Sequence, residues 1–155
     1  MRKRNWFQLW KKSMHILIDT NIILDLVQNR EPHSENASKI INSCLNGVHE
    51  GYVSAHSLSD LFYILRKDKS VDERKNLILH LCKFFTIIPE NKNIFVSVCT
   101  NPDWNDLEDG LQMKCAELEK LDYIISRDKE NGYKNSPIKV ICPEEFFKLK
   151  KTVLA

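Results

Sequence analysis

Short apolar runs rich in β-branched residues alternate along this chain with longer stretches in which apolar positions recur every three to four residues. His15–Ile18 is a strand-like run that ends at Asp19. After it, Ile22, Ile23, Leu26 and Val27 fall on one helical face from Thr20 onward. Glu31-Pro32-His33 interrupts the pattern. Ser34 then stands where it can cap a second helix carrying Ala37, Ile40, Ile41, Cys44 and Leu45 up to Gly47. A strand is predicted at Tyr52–Ala55 and a helix at His56–Leu65, with Leu58, Leu61, Phe62 and Leu65 inward. Ser70 and Glu73 form a capping-box pattern ahead of Leu77, Ile78, Leu81, Cys82 and Phe85. Thr86–Pro89 reads as a strand, Asn93–Cys99 and Asp106–Lys120 as helices, and Tyr123–Ile125 and Ile138–Ile141 as the last strands. Pro143, at a first helical position, opens a closing helix with Phe146, Phe147 and Leu149.

Strand–helix alternation of this kind predicts an α/β fold, a three-layer α/β/α sandwich on a mainly parallel central sheet. With 155 residues, 43% hydrophobic and 28% charged, the chain suits one domain with one sizeable core. We place that domain at residues 14–150, behind a basic N-terminal extension, residues 1–13. The extension, MRKRNWFQLWKKS, is too short in apolar residues for a secretory signal. Two readings of it stay open, an amphipathic surface helix or residues upstream of a natural start at Met14. No run approaches the roughly 20 apolar residues of a membrane span. The net charge of +2 excludes a uniformly basic nucleic-acid binder and leaves only local basic groups, one of them Arg66, Lys67, Lys69, Arg74 and Lys75. The five cysteines, Cys44, Cys82, Cys99, Cys115 and Cys142, are odd in number and lack paired spacing. Buried free thiols in a reducing cytoplasm are expected.

In an open parallel sheet, ligands bind beyond the carboxyl ends of the strands. Four acids fall there or near it: Asp19 after the first strand, Asp60 one turn into the helix after the Tyr52 strand, Asp109 in the first turn of the helix preceding Tyr123–Ile125, and Asp128 three residues past that strand. Any one of them is more simply a helix cap or a solubilising residue. Together they would make a self-repelling cluster that needs cations. Oxygen-only ligands suit Mg2+ or Mn2+ rather than zinc, and such ions serve in-line phosphoryl displacement. The histidines have no ligand-like spacing and are not required. Because repulsion would be relieved, neutralising Asp19 is expected to leave stability intact or raised.

Ile16-Leu17-Ile18-Asp19-Thr20-Asn21 resembles the opening of PIN-domain proteins, where a strand ends in Asp-x-Asn. Ser57–Leu65 is similar to their second segment, with Asp60 in place of the usual glutamate. Asp106–Gln112 followed by Ala116, and Asp122–Asp128, look like the third and fourth. Pro143-Glu144-Glu145-Phe146-Phe147 resembles the family's closing helix. The likeness runs from about Met14 to Lys148. It implies a metal-dependent ribonuclease of the bacterial toxin type, paired with a small antitoxin and often a homodimer. Asp19, Asp60, Asp109 and Asp128 would be the metal-binding and catalytic acids, Asn21 would brace Asp19, and Ser126 would replace a supporting threonine.

Three departures stand out. Asp60 is a methylene shorter than glutamate. Gly110 replaces the usual alanine, at about 1 kcal/mol in a helix interior. The family's Asp-Phe appears as Asn131-Gly132-Tyr133, with a carboxylate lost. Outside the four acids, Asp25 is expected on a helix surface, Asp106 as an N-cap, and Glu108 turned about 100° away from Asp109. Arg127, Lys67 and Lys69 are candidate contacts to an RNA backbone, with solvated or acid-bridging charges as the plain alternative. Trp104 suits either an unpaired base or the core. The rival function is an inactive PIN scaffold that binds RNA or a protein partner. An aspartyl-phosphate domain ranks below both, since Asp19-Thr20-Asn21 lacks a second acid two residues on.

Overall fold

The computed structural model describes residues 12–129 and 132–152. All but the last two residues of the basic extension therefore lie outside the described residues. β1 (His15–Ile18) is buried along nearly its whole length, as a strand covered on both faces must be. Ile16 and Ile18 point to one face and Leu17 to the other, so a four-residue strand serves two cores. α1 (Thr20–Val27) and α2 (Ser34–Leu45) follow, then β2 (Glu50–Ser54) and α3 (Ala55–Ile64). α3 tightens into a 3-10 turn over Leu65–Lys67 before α4 (Val71–Phe84) and β3 (Thr86–Ile88). α5 (Lys92–Cys99), α6 (Leu107–Leu118), β4 (Tyr123–Ile125), β5 (Val140–Ile141) and α7 (Pro143–Thr152) complete the order.

The five strands are all parallel in the order β3-β2-β1-β4-β5. Ile22, Ile40, Leu61, Leu81 and Phe146 from α1, α2, α3, α4 and α7 cover one face of the sheet. On the other face Met113, Cys115 and Ala116 of α6 pack over Leu17 and Ile124, and α5 adds Ile94 and Val98 beside Leu111. These three layers are the expected sandwich. The chain moves outward from β1 to β2 and β3, then crosses back through α5 and α6 to β4 on the other side of β1. That reversal creates a switch point between β1 and β4.

The capping box forms as predicted: the Ser70 hydroxyl accepts from the Glu73 amide, and the Glu73 carboxylate accepts from the Ser70 amide. Ser34 does not cap α2. His33 holds the N-cap position, and the Ser34 hydroxyl donates to Glu31 at 2.8 Å. All five cysteines are free thiols; Cys44 and Cys115 are buried, but Cys82 and Cys99 are exposed, since α4 and α5 each turn one side to solvent. Among the described residues no helix is long and apolar enough to cross a membrane.

Gly110 has a packing reason that outweighs its poor helix propensity. A Cβ there would meet Val98 Cγ1 at 2.5 Å, and Val98 is a buried, β-branched residue with little freedom to turn aside. The missing methyl is what lets α6 approach α5. We therefore predict that Gly110→Ala lowers the melting temperature despite a propensity gain of about 1 kcal/mol. In a Val98→Ala background the same change should raise it, which a double-mutant cycle by thermal denaturation will read.

Candidate functional site

Asp19 occupies the N-cap position of α1, with extended backbone, yet its side chain makes no capping bond. Asp106 shows the contrast, because its carboxylate caps α6 by accepting from the Asp109 amide at 2.9 Å. Asp19 is 5% exposed, and its carboxylate is held from three directions. The Ser126 hydroxyl donates to Oδ2 at 2.6 Å and the Asn21 amide donates to the same oxygen at 3.1 Å. Gln112, fully buried on α6, donates to Oδ1 at 2.9 Å. Ser126 also accepts from the Asp128 backbone amide at 3.0 Å and from Asn21 at 3.2 Å. Register makes this possible: Ile18 pairs with Ile125, so the next residue on each strand, Asp19 and Ser126, meet at the same edge.

α6 brings two more acids to that edge. Its C-terminus leads to the start of β4, so its first turn stands over the carboxyl ends of the strands. Asp109 is pushed up to about 7, first by burial and then by the charges of Asp19, Asp106, Glu108 and Asp128. Glu108 turns to the neighbouring side, where burial and the charges of Asp60 and Asp19 raise its pKa. The acids therefore form a row. Asp128, Asp109 and Asp19 lie at the β4–β1 end, and Asp60 joins them through Glu108 at the β2 end.

Beyond Asp60 the row continues with groups that sequence reasoning passed over. His56 lies one helical turn before Asp60 on α3, and one ligand atom each of His56, Asp60 and Glu108 lie within 4.8 Å of one another. Glu90, two residues past β3, accepts from the His56 backbone amide at 3.0 Å and bonds the ring Nδ1. Burial disfavours the His56 charge, but the Glu90 hydrogen bond and negative charge, with Glu108 and Asp60 adding, hold its pKa above the ordinary value. The i, i+4 spacing of His56 and Asp60 was the available signal.

The segment departing from the family pattern returns to the site. A Cβ on Gly132 would fall 1.3 Å from Asp109 Oδ2, so glycine there makes room for that carboxylate. Asn131 lies outside the described residues. Tyr133 is buried, and burial together with Asp19 and Asp109 drives its phenol well above the ordinary pKa. Its hydroxyl faces Asp19 without reaching hydrogen-bond geometry.

Arg127 grips Asp25, with Nε at 2.5 Å from Oδ2 and Nη2 at 2.9 Å from Oδ1, and Arg30 stands 3.9 Å from the same carboxylate. Asp25 is accordingly a buried ion-pair residue, not a helix-surface one, and it takes the Nε–Nη2 edge of Arg127. Lys67 and Lys69 flank Asp68, which accepts from Gln28 at the C-terminal end of α1. Arg66 and Arg74 lie over the rings of Tyr63 and Phe62. Trp104 packs with Val98 and Leu111.

The chain belongs to the PIN domain family, whose model matches residues 15–130. Among curated proteins it is similar to Ribonuclease VapC1 of Aquifex aeolicus, at 26% identity, covering 86% of this chain and 94% of the relative. Its fold is similar to that of a toxin–antitoxin complex from Klebsiella pneumoniae, with TM-score 0.61 and 20% identity over 83% of this chain and 97% of that one. It is also similar to Mycobacterium tuberculosis VapC20, a Sarcin-Ricin loop cleaving toxin, with TM-score 0.61 and 10% identity over 74% and 91% of the two chains.

The raised pKa of Asp109 sets a pH dependence. In metal-free protein the folded state keeps that proton between about pH 4, the unfolded value, and about pH 7. Stability from this group therefore falls as pH rises through that window and is level above it. The stability of Asp109→Asn relative to wild type should rise from pH 4 to 7 and then flatten, as read by urea denaturation at a series of pH values.

Proposed function

We propose that this protein is a divalent-metal-dependent endoribonuclease. Its Asp19, Asp109 and Asp128 carboxylates, with Asp60 adjoining, would hold Mg2+ or Mn2+ against an RNA phosphodiester. The observation that carries this reading is Asp19: a carboxylate at a helix N-terminus that is withheld from capping, oriented by three donors and set among other acids. Among the described residues none of Asp19, Asp60, Asp109 and Asp128 has a Lys or Arg within ion-pair distance. The donor set of the Asp19 end is all oxygen. Surplus negative charge and hard ligands fit Mg2+ or Mn2+.

Once bound, such an ion supplies Lewis-acid stabilisation of phosphoryl charge and a more acidic attacking water. The chain's own residues do the positioning. Ser126 and Asn21 fix Oδ2 of Asp19, Gln112 fixes Oδ1, and the Ser126 hydroxyl also ties down the Asp128 backbone, so two acids from different strands share one anchor. Burial and, after it, the charges of Asp19, Asp106, Glu108 and Asp128 make Asp109 hold a proton more readily, and relieving those charges would lower its pKa.

Family membership and the ribonuclease relative support RNA as the substrate. The toxin–antitoxin neighbours support a role as the toxin of such a pair, with a small antitoxin as partner; a cytoplasmic homodimer is what the family likeness leads us to expect. Asp19→Asn should abolish Mg2+- or Mn2+-dependent cleavage of RNA. The structure also revises the stability expectation. An amide at position 19 would set an NH2 group against the Ser126, Asn21 or Gln112 donors, so about 1–2 kcal/mol of stability should be lost rather than gained. Full cleavage by folded Asp19→Asn, checked by circular dichroism, would reject the assignment of Asp19, and a wild-type chain that cleaves no RNA with either ion would leave the RNA- or protein-binding scaffold.

A further inference from the structure

The β2–β3 end of the row differs chemically from the β1–β4 end. Here an imidazole joins two carboxylates, His56 and Asp60 from one face of α3 and Glu108 from the first turn of α6, with ligand atoms inside a 4.8 Å span. The histidine is prepared from behind. Glu90, whose side chain is 6% exposed, bonds Nδ1 and the His56 backbone amide together, which fixes the ring plane. With the Nδ1 proton donated to Glu90, Nε2 carries the lone pair, and Nε2 is enclosed with no hydrogen-bond partner. A carboxylate behind one ring nitrogen and an unpartnered lone pair on the other is the arrangement that orients a metal-ligating histidine. An enclosed polar atom left without a partner is otherwise a cost.

We propose that His56, Asp60 and Glu108 form a second metal site, selective for a nitrogen-accepting divalent transition ion such as Zn2+ or Co2+ over Mg2+. One nitrogen and two carboxylate oxygens make a three-ligand set with open positions. Imidazole favours the later first-row ions, whereas Mg2+ prefers oxygen and retains its waters. The remaining positions would be open to water or to an anionic oxygen of a ligand at the rim. Asp60, which adjoins the Asp19 end of the row, would then be shared with this site, beside Glu108 and His56. The shorter aspartate suits a site whose other ligands come from its own helix and the facing first turn of α6. Glu90 is a positioning residue that acts through the His56 ring. The inference concerns ion binding and holds whether or not the protein cleaves RNA.

The full chain, freed of metal at pH 8, is titrated with Zn2+ while the histidine side-chain nitrogens are followed by NMR, and with Co2+ while its visible absorption is followed. We expect His56 Nε2 to shift at one equivalent of Zn2+, and Co2+ to give a d–d band. Glu108→Gln and His56→Gln should each weaken Co2+ affinity at least tenfold, and Glu90→Gln about 10- to 100-fold. Mg2+ affinity, read from the thermal shift, should change less than threefold in His56→Gln. Asp19→Asn should keep the Co2+ band, which separates failure of this site from failure of the nuclease reading. A His56 Nε2 resonance that Zn2+ leaves unmoved in the wild-type chain, or equal Co2+ affinity in wild type and folded Glu108→Gln, would overturn the site.

Discussion

Everything at the functional edge depends on a carboxylate held out of water at the end of β1. Asp19 is almost fully enclosed, and an ionised group in that position is tolerated only because Ser126, Asn21 and Gln112 each donate to it. Those donors come from β4's exit, the first turn of α1 and the middle of α6. One buried charge thereby fixes the relative placement of three elements. The same hydroxyl that satisfies Asp19 also receives the Asp128 amide, so the loop after β4 is tied to the exit of β1.

Sheet topology turns that anchor into a row. Reading across the strands in the order β3, β2, β1 and β4, the residues just past each carboxyl end are Glu90, then His56 and Asp60, then Asp19, then Ser126 and Asp128. α6 crosses this edge and contributes Asp109 to one end and Glu108 to the other, because consecutive helical residues diverge by about 100°. The two ends differ in donor chemistry: oxygen alone at β1–β4, nitrogen with oxygen at β2. A gradient of donor-atom type along a single edge follows from which residue happens to stand at each strand's exit.

Much of this was legible in the sequence because it is local. The 3.6-residue spacing marked the helices, and Ser70 with Glu73 marked a helix start. Strand-terminal positions singled out Asp19 and Asp128. What was not legible depends on pairings across long sequence separations. Gln112 and Tyr133 look like ordinary helix and loop residues until the fold brings them against Asp19. Glu90 shows its role only when β3 is placed beside β2. Arg127 looked free for substrate because Asp25, 102 residues earlier, gives no sign of being buried. Gly110 read as a weakness in its helix, since the Val98 methyl it accommodates belongs to another one.

On the proposed function, the acidic edge carries negative charge that a divalent cation relieves. Thermal unfolding of the full-length chain at pH 8, across a range of Mg2+ concentrations and against KCl matched for ionic strength, tests it directly. Binding to the folded state alone should raise the melting temperature steadily with the logarithm of Mg2+ concentration, beyond the effect of KCl. A melting temperature that follows ionic strength and is indifferent to which cation supplies it would contradict the claim.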